Sequence, residues 1–181
     1  PVSPPPARWG PGGRAARVAW VVALGQPSGV HREGRAAKAV VGRARQQISD
    51  ALGAAGSDIV FTSSATESAA LALAGRDLHA APIEHDAVAA WVTPDLPLKE
   101  GQVQVSNAGQ SCVQIANSET GVIQKLPYGL AVSDLTHGFV TLPLAFDWTG
   151  IRMGLVSGPE LVGPKGVGAV ECPQGVDQPA Q

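Results

Sequence analysis

Apolar residues recur at a helical period over residues 33–54, where the sequence reads EGRAAKAVVGRARQQISDALGA. One stripe of this segment carries apolar side chains and the opposite side carries Arg and Lys, the pattern of a helix that packs against other structure. Gly53 or Gly56 is predicted to end the helix. A shorter apolar run over residues 14–24 predicts another helix. The members of the first stripe are Ala37, Val40, Val41, Ala44, Ile48 and Leu52.

The next segment changes from the helical period to a short β-branched run. Residues 58–63, DIVFTS, predict a strand, and residues 64–75, SATESAALALAG, predict a helix with Ser and Thr at its start and Gly75 at its end. The order helix, strand, polar turn and helix is typical of an α/β protein with a parallel sheet.

Further along the chain the patterns become shorter. Residues 84–92, EHDAVAAWV, predict another helix. A parallel crossover that contains a helix takes about a dozen residues or more, and residues 121–128 are too few for one. Either these strands pair differently or a crossover helix has been lost. The five predicted strands of this half are residues 102–106, 112–116, 129–134, 154–158 and 166–172.

Composition and charge exclude several classes of protein. Hydrophobic residues make up 44% of the 181-residue chain and charged residues 15%, which is typical of a globular protein with one core. The net charge of −2 argues against a nucleic-acid-binding protein, for which a concentrated positive field is expected. No window approaches the roughly 20 continuous apolar residues of a membrane span.

The two ends of the chain differ from its middle. Residues 1–13 are rich in proline and predict a disordered or extended arm, and residues 173–181 predict a loop-like tail. The first 47 residues hold a single acid, Glu33, a pattern compatible with an organelle-imported protein or with a solvated basic face. Cys112 and Cys172 have no partner at metal-ligand spacing, so we expect packing residues in a reducing compartment and no metal site.

Three segments carry candidate chemistry. Residues 61–68, FTSSATES, lead from a strand into a helix, where backbone N–H groups bind anions or where Ser and Thr simply cap the helix. His85 is a candidate for stacking, metal binding or proton transfer, although a lone His is more often structural. Asp134 ends a predicted strand, where open α/β sheets place ligand-binding residues and where turn residues are also common.

The stretch LVSGPELVGPKGVGAV, residues 155–170, has glycine and lysine in an arrangement superficially like a nucleotide phosphate loop. Pro164 separates the glycine from Lys165, and Gly166 stands where the hydroxyl residue that holds magnesium would be. A nucleotide phosphate loop is therefore excluded.

Together these segments resemble the cysteine desulfurases, pyridoxal-phosphate enzymes of the class V aminotransferase family. The resemblance covers residues 14–172 and rests on motifs in the family's order. The motifs are GQPSGVHREGRAAKAV at 25–40, FTSSATES at 61–68, IEHDAV at 83–88, ANSETGVIQ at 116–124, SDLTHG at 133–138, FDW at 146–148 and LVSGPELVGPKGVGAV at 155–170.

The resemblance assigns cofactor-binding roles to several residues. Ala65 and Thr66 match the family's phosphate-binding turn, although Ser64 replaces the usual Gly before it. His85 matches the histidine that stacks on the pyridine ring. Asp134 matches the aspartate that pairs with the pyridinium nitrogen, so that the ring acts as an electron sink.

Other positions depart from the family. Ser118 stands in place of an Asn and His137 in place of a Gln. The family's Ser-x-His-Lys motif supplies two phosphate ligands and the Schiff-base lysine, and this chain has Ser157, Gly158, Pro159 and Glu160 there. Pro159 occupies the histidine position and Glu160 the lysine position. The resemblance therefore implies that the cofactor-binding set is vestigial; its members are Ala65, Thr66, His85, Ser118, Asp134, His137 and Ser157. Lys165 matches a different family lysine, that of the GPKG turn, and is not expected to be a relocated nucleophile.

The resemblance implies an α/β fold: a partial parallel-sheet large domain of a fold type I pyridoxal-phosphate enzyme, with shortened crossovers and without the C-terminal domain. We expect residues 1–13 to form the proline-rich arm, residues 14–172 the large-domain remnant and residues 173–181 the tail. Neither cysteine matches the family's sulfur-accepting cysteine, which lies in a loop further on.

The expected function is that of a non-catalytic, cysteine-desulfurase-like structural or accessory subunit of a larger complex, homo- or hetero-oligomeric, with no catalytic residue and no cofactor. The alternative is an active desulfurase, or half of one, that uses pyridoxal phosphate to transfer sulfur from L-cysteine for iron–sulfur cluster assembly. The expected partners are other protein subunits, and the expected location is the mitochondrial matrix or a matrix-side complex, with bacterial cytoplasm as the alternative.

Overall fold

The computed structural model describes residues 25–139, 141–159 and 166–173. The predicted arm at 1–13, the predicted helix at 14–24, Glu160, Lys165 and almost all of the tail lie outside these residues, so the predictions for them stay untested.

Four α-helices and one 3₁₀ helix form the helical part of the described chain. The longest helix confirms the first prediction, and the segment predicted to be helical over residues 84–92 is much shorter than expected. It ends early because the backbone of Thr93 pairs with Leu78 and Ala80, with N···O distances of 2.9 Å. The helices are α1 (Arg32–Leu52), α2 (Ala65–Leu73), α3 (Asp86–Ala89) and α4 (Phe146–Thr149), and the 3₁₀ helix is Ala108–Gln110.

Six strands form two sheets in the described residues. The larger sheet has the order β1-β6-β5-β4, and a separate hairpin pairs β2 with β3. The predicted strand over residues 102–106 is therefore only the two residues of β3. The strands are β1 (Ser57–Thr62), β2 (Leu98–Lys99), β3 (Gln102–Val103), β4 (Val132–Asp134), β5 (Met153–Ser157) and β6 (Gly168–Pro173).

The larger sheet is mixed rather than parallel throughout, which corrects one part of the prediction. β4 and β5 are parallel, but β6 runs antiparallel to both β5 and β1. Ser157 at the end of β5 pairs with Gly168 at the start of β6. The ten residues between them are too few for a helical crossover, so the chain turns back directly.

The predicted loss of crossover helices is confirmed. The residues from 117 to 131 contain no helix, although residue 112 forms a parallel bridge with Val132 of β4. The connection is instead a loop in which Ala116 bridges Ile123 in antiparallel fashion. The predicted strand at 112–116 is thus an extended segment that is bonded to β4 rather than a regular strand.

Two buried clusters lie on opposite faces of the sheet. The first, around α2, includes Leu73, Val132 and Val170, and the second, near the end of α1, includes Leu52, Ile59 and Phe146. Both are built largely from Ala, Val and Leu, as the low aromatic content of the sequence predicts.

The long helix α1 is only partly covered. Leu52 is fully buried, while Ala37, Val40, Val41, Ala44 and Ile48 of the predicted stripe are half-buried. Gly53 ends the helix in the left-handed conformation, with φ of 67°, and its N–H bonds to Asp50. A cap of this kind is the usual end of an α-helix, and it confirms the sequence prediction.

Cys112 and Cys172 are both free and buried, which confirms their prediction as packing residues. None of the helices in the described part of the chain is both long and apolar enough to cross a bilayer.

Candidate functional site

A small cavity of about 50 Å³ lies where the carboxyl ends of β4 and β5 meet the start of α2 and α3. Parallel strands leave such a crevice at their carboxyl ends, where the following loops diverge. The fold brings together five of the residues singled out in the sequence, although they are separated by up to about ninety positions. The lining residues are Ala65, His85, Ala87, Val88, Asp134, Thr136, His137, Leu155 and Ser157.

The loop that follows β4 provides the polar floor of this cavity. Asp134 Oδ1 accepts the N–H of Thr136 at 2.9 Å, so the carboxylate is held by its own turn. Thr136 Oγ1 in turn accepts the N–H of Ser157 at 3.2 Å, which joins the β4 loop to the end of β5. Asp134 and His137 are half-buried, whereas Thr136 and Ser157 are buried. The chain of bonds keeps the cavity floor rigid without any ligand.

His85 forms one wall and has a structural role as well. It is the N-cap of α3, and its Nδ1 accepts the N–H of Ala87 at 3.1 Å. In the neutral ring the proton is then on Nε2, because Nδ1 is the acceptor. The ring is exposed and is fixed by this cap, so its face and its Nε2–H are available to a molecule in the cavity.

The start of α2 confirms the capping interpretation of FTSSATES. Ser64 is the N-cap and accepts the N–H of Glu67 at 3.2 Å. The Glu67 carboxylate accepts both the N–H and the hydroxyl of Ser63 at 2.6 Å, and these two bonds lower the pKa of Glu67. Ala65 lines the cavity, but Thr66 is exposed and is not among the lining residues. Of the two residues predicted to bind the phosphate, only Ala65 therefore lines the cavity.

Ser118 does not reach the cavity. It is exposed in the turn after Ala116, and the side chain that holds this turn by hydrogen bonds is that of its neighbour Asn117. Asn117 Oδ1 accepts the N–H of Glu119 at 3.0 Å, and its Nδ2 donates to Ile83 O at 2.9 Å. Asn117 thus ties this turn to the segment before His85, and Ser118 is not among the residues that line the cavity.

Behind the cavity lies a buried acid that sequence reasoning missed. Glu84 Oε1 accepts the N–H of Gln114 at 2.9 Å, while its Oε2 has no hydrogen-bond partner. Burial, with a smaller contribution from the charge of Asp134, raises the pKa of Glu84 to about 8. Burial and the same two carboxyl groups also raise the pKa of Cys112. The only sequence signal was the position of Glu84 beside His85, because burial of an acid leaves no local pattern.

Thr136 is the other functional position that the sequence did not reveal. Its signal was the spacing Asp-x-Thr in SDLTHG, which suits a side chain that bonds to the backbone two residues on. Only the packing of the β4 loop against β5 shows that the hydroxyl of Thr136 also holds Ser157.

The described residues of the cavity fit the ring of pyridoxal phosphate. His85 and Asp134 lie on the same cavity, which suits stacking and pairing with a protonated ring nitrogen. No lysine is among the described residues that line it, and Pro159, which follows β5, is exposed and lacks an N–H donor. Among the described residues, no group of three His, Cys, Asp or Glu side chains is arranged to hold a metal ion.

The family model for aminotransferase class-V matches residues 22–91. The chain is 32% identical over 192 residues to cysteine desulfurase IscS 1 of Archaeoglobus fulgidus, covering 84% of this chain and 49% of the relative. It is 30% identical over 189 residues to cysteine desulfurase IscS of Methanosarcina thermophila, covering 84% of this chain and 47% of the relative. The chain thus spans about half the length of the curated relatives it matches.

Solved structures give the same result for the fold. A NifS-like protein from Rickettsia africae superposes with a TM-score of 0.78 at 26% identity, over 91% of this chain and 55% of that one. DndA from Streptomyces lividans superposes with a TM-score of 0.69 at 28% identity, over 88% of this chain and 55% of that one. Sequence motifs, cavity and fold agree, and the chain is therefore a cysteine desulfurase-like protein of α/β fold, related to the class-V aminotransferases.

Proposed function

We propose that this chain is a non-catalytic, cysteine desulfurase-like protein that acts as a structural or accessory subunit of a larger complex. The observation that carries the proposal is the pair Pro159 and Glu160, which stands where the family has its phosphate-binding histidine and its Schiff-base lysine. In the sequence the pair follows Gly158, the first residue after β5, and the end of β5 lines the cavity.

The chemistry of these two residues supports the loss of catalysis. A Schiff base forms between an aldehyde and a primary amine, and a carboxylate such as Glu160 has no nitrogen to supply. A carboxylate would also repel a phosphate group, and a proline has no ring or backbone N–H with which to bind one. The bonds among Asp134, Thr136 and Ser157 preserve the shape of the cavity without that chemistry.

Partial burial of apolar surface supports an accessory role. Val40 and Val41 lie on the apolar stripe of α1 and stay half-buried, and the sheet has short connections where a complete fold of this type would have helices. Apolar surface and sheet edges of this kind are commonly covered by other chains. We propose other protein subunits as partners, in the mitochondrial matrix or a matrix-side complex, with bacterial cytoplasm as the alternative.

Cofactor attachment tests the loss of catalysis. Purified protein is incubated with pyridoxal phosphate, reduced with borohydride, and analysed by mass spectrometry for a covalent adduct. We expect no adduct in the parent chain and an adduct at residue 160 in a Pro159→His, Glu160→Lys double variant. An adduct in the parent would overturn the proposal, and its loss in a Lys165→Ala variant would identify Lys165 as a relocated nucleophile.

The accessory role has its own test. The native protein is isolated under mild conditions and its mass is compared with that of the chain produced alone. We expect co-purifying subunits and a lone chain that is less stable than the same chain in its complex. A native protein with no co-purifying subunit, or a lone chain as stable as the native protein, would contradict the accessory role while leaving the loss of catalysis unaffected.

The names of the relatives favour a second candidate, an active desulfurase that uses pyridoxal phosphate to transfer sulfur from L-cysteine for iron–sulfur cluster assembly. His85 and Asp134 would hold the ring, which supplies an electron sink when bound. Sulfide release from L-cysteine by the chain with added cofactor would establish this candidate. No release by the parent, together with release by the double variant, would exclude it.

A further inference from the structure

Two aromatic side chains that do not line the cavity stand out on the surface. Tyr128 and Trp148 are 80% and 85% exposed, more than any other large hydrophobic side chain in the described residues. The Tyr128 ring lies directly over Gly150, since a Cβ at that position would meet its ring atoms at 2.6 to 2.9 Å. Trp148 belongs to α4 and is only two residues before Gly150. We call these two rings, together with Gly150, the aromatic patch.

The surroundings of the aromatic patch are acidic. Asp147 is exposed beside Trp148, and its N–H donates to Gly53 O at 3.2 Å, which places the patch at the carboxyl end of α1. That end carries the negative pole of the helix, has the exposed Asp50 in its last turn, and has no basic residue there. Acidic charge and exposed aromatic faces together favour a cationic ligand that also stacks.

Two arginines, Arg45 of α1 and Arg152 shortly after Gly150, lie beside other parts of the molecule. The Arg45 guanidinium lies 5.3 Å from the Phe61 ring centroid, and its Nε donates to Ile59 O on β1. One terminal nitrogen of Arg152 lies within 3.8 Å of the position of a Cβ on Gly109. Neither arginine neutralises the carboxylate of Asp147 through a described salt bridge, because the one ion pair of the described residues joins His79 to Asp95.

One segment of this same chain has the complementary chemistry. Residues 4–17 read PPPARWGPGGRAAR, with three arginines and no acidic residue. Proline-rich segments bind to surface aromatic side chains because their extended backbone loses little entropy on binding, and arginine stacks on aromatic faces. We propose that residues 4–17 dock on the aromatic patch of the same molecule, with arginines directed at Asp147 and Asp50.

The length of the chain allows this contact. The first described residue, Gly25, lies against Glu33 at the start of α1, and the patch lies at the other end of the helix. A 21-residue helix is about 32 Å long, while the eight residues from 17 to 25 span at most about 28 Å and those from 8 to 25 about 60 Å. The backbone between residues 8 and 25 is therefore long enough to reach the patch, whereas the backbone between residues 17 and 25 is about 4 Å too short, so that Arg17 could contact the patch only through its long side chain.

Site-specific cross-linking of the full chain tests the proposal. A photoreactive benzoylphenylalanine replaces Trp9, and mass spectrometry maps the cross-linked peptides after irradiation. We expect intramolecular cross-links to the segments around Tyr128 and Trp148. Their yield should fall several-fold between about 0.05 and 0.5 M salt, because charge attraction is screened.

Matched variants make the test decisive. Tyr128→Ala with Trp148→Ala should lower the cross-link yield at least about fivefold, and Trp91→Ala, which removes an exposed tryptophan elsewhere, should leave it unchanged. Charge reversal at Arg8, Arg14 and Arg17 should lower the yield while leaving every residue of the patch itself unchanged. Cross-links spread over other surfaces, an unchanged yield in the arginine variant, or cross-links only between two molecules would overturn the proposal.

Discussion

The buried carboxyl group of Glu171 gives the sharpest prediction about stability. Glu171 lies in β6 between Ile59 and Gly154 of the neighbouring strands and is fully buried. Neither carboxyl oxygen has a hydrogen-bond partner of normal geometry. Burial raises the pKa of Glu171 to about 8, with the charge of Asp147 adding to this effect and the hydroxyl of Ser57 opposing it. We predict that Glu171→Gln makes the protein less sensitive to rising pH.

The direction and the size of the change in the free energy of unfolding follow from the protons that the folded and unfolded states bind. The folded state keeps the proton on Glu171 up to pH about 8, while the unfolded chain releases it near its ordinary pKa of 4.5, so stability is lost as the pH rises between these values. The gap corresponds to at most about 5 kcal/mol, because one pKa unit is equivalent to about 1.4 kcal/mol. Glu84, with its pKa also raised to about 8, contributes in the same direction.

Urea unfolding at a series of pH values measures the effect. Between pH 5.5 and 7.5 each group lowers the free energy of unfolding by about 1.4 kcal/mol per pH unit, so the parent should lose about 5 kcal/mol over this range. Glu171→Gln and Glu84→Gln should each halve the slope, and the double variant should nearly abolish it. Losses of this size approach the whole stability of a typical domain.

A control variant and a clear negative outcome complete the test. Glu67→Gln removes a carboxylate whose pKa is lowered, so it should leave the slope between pH 5.5 and 7.5 unchanged. The reasoning is refuted if the slope of Glu171→Gln equals that of the parent. Such a result would mean that the carboxyl group ionises at its ordinary pKa inside the fold.

Two further substitutions test local features of the fold. Gly53→Ala should destabilise the protein by about 2 kcal/mol in urea titrations, because φ is 67° and a Cβ would approach backbone atoms at 2.9 Å. Gly42→Ala, with open space around it, is the control and should stabilise α1 by up to about 1 kcal/mol. Equal effects of the two substitutions would contradict the strain at Gly53. Arg45→Ala removes the bond to Ile59 O and the contact with Phe61 at the outer strand β1. Because the edge of the sheet is then less covered, light scattering should detect more self-association than in the parent. Unchanged scattering would show that the arginine does not protect this edge.

Local sequence signals determined the first half of the described fold. The apolar stripe of α1, its end at Gly53, the strand β1 and the capped helix α2 all depend on residues within a few positions of one another, and the sequence predicted each of them. The family motifs also singled out His85 and Asp134, which do line one cavity. Such features are readable because neighbours in the sequence are the groups that interact.

Long-range pairing was decided only by the tertiary structure. β1 pairs with β6 from more than a hundred residues away, and the antiparallel direction of β6 follows from a short return after β5 rather than from any pattern in its own sequence. The shortened helix α3 ends because the backbone at Thr93 finds partners at Leu78 and Ala80. A backbone N–H or C=O group bonds to whichever chain segment lies next to it. Such a bond does not depend on residue type, so the hydrophobic pattern of the sequence does not predict it.

The cavity shows the same division. Motif matching placed Thr66 and Ser118 with His85 and Asp134, but Thr66, in the first turn of α2, and Ser118 are exposed and do not line the cavity. The sequence by itself supports the proposed loss of catalysis, because Glu160 has no amine wherever it lies. What the residues around it do together depended on packing, since the bond from Thr136 to Ser157 and the burial of Glu84 and Glu171 arise only when distant segments meet.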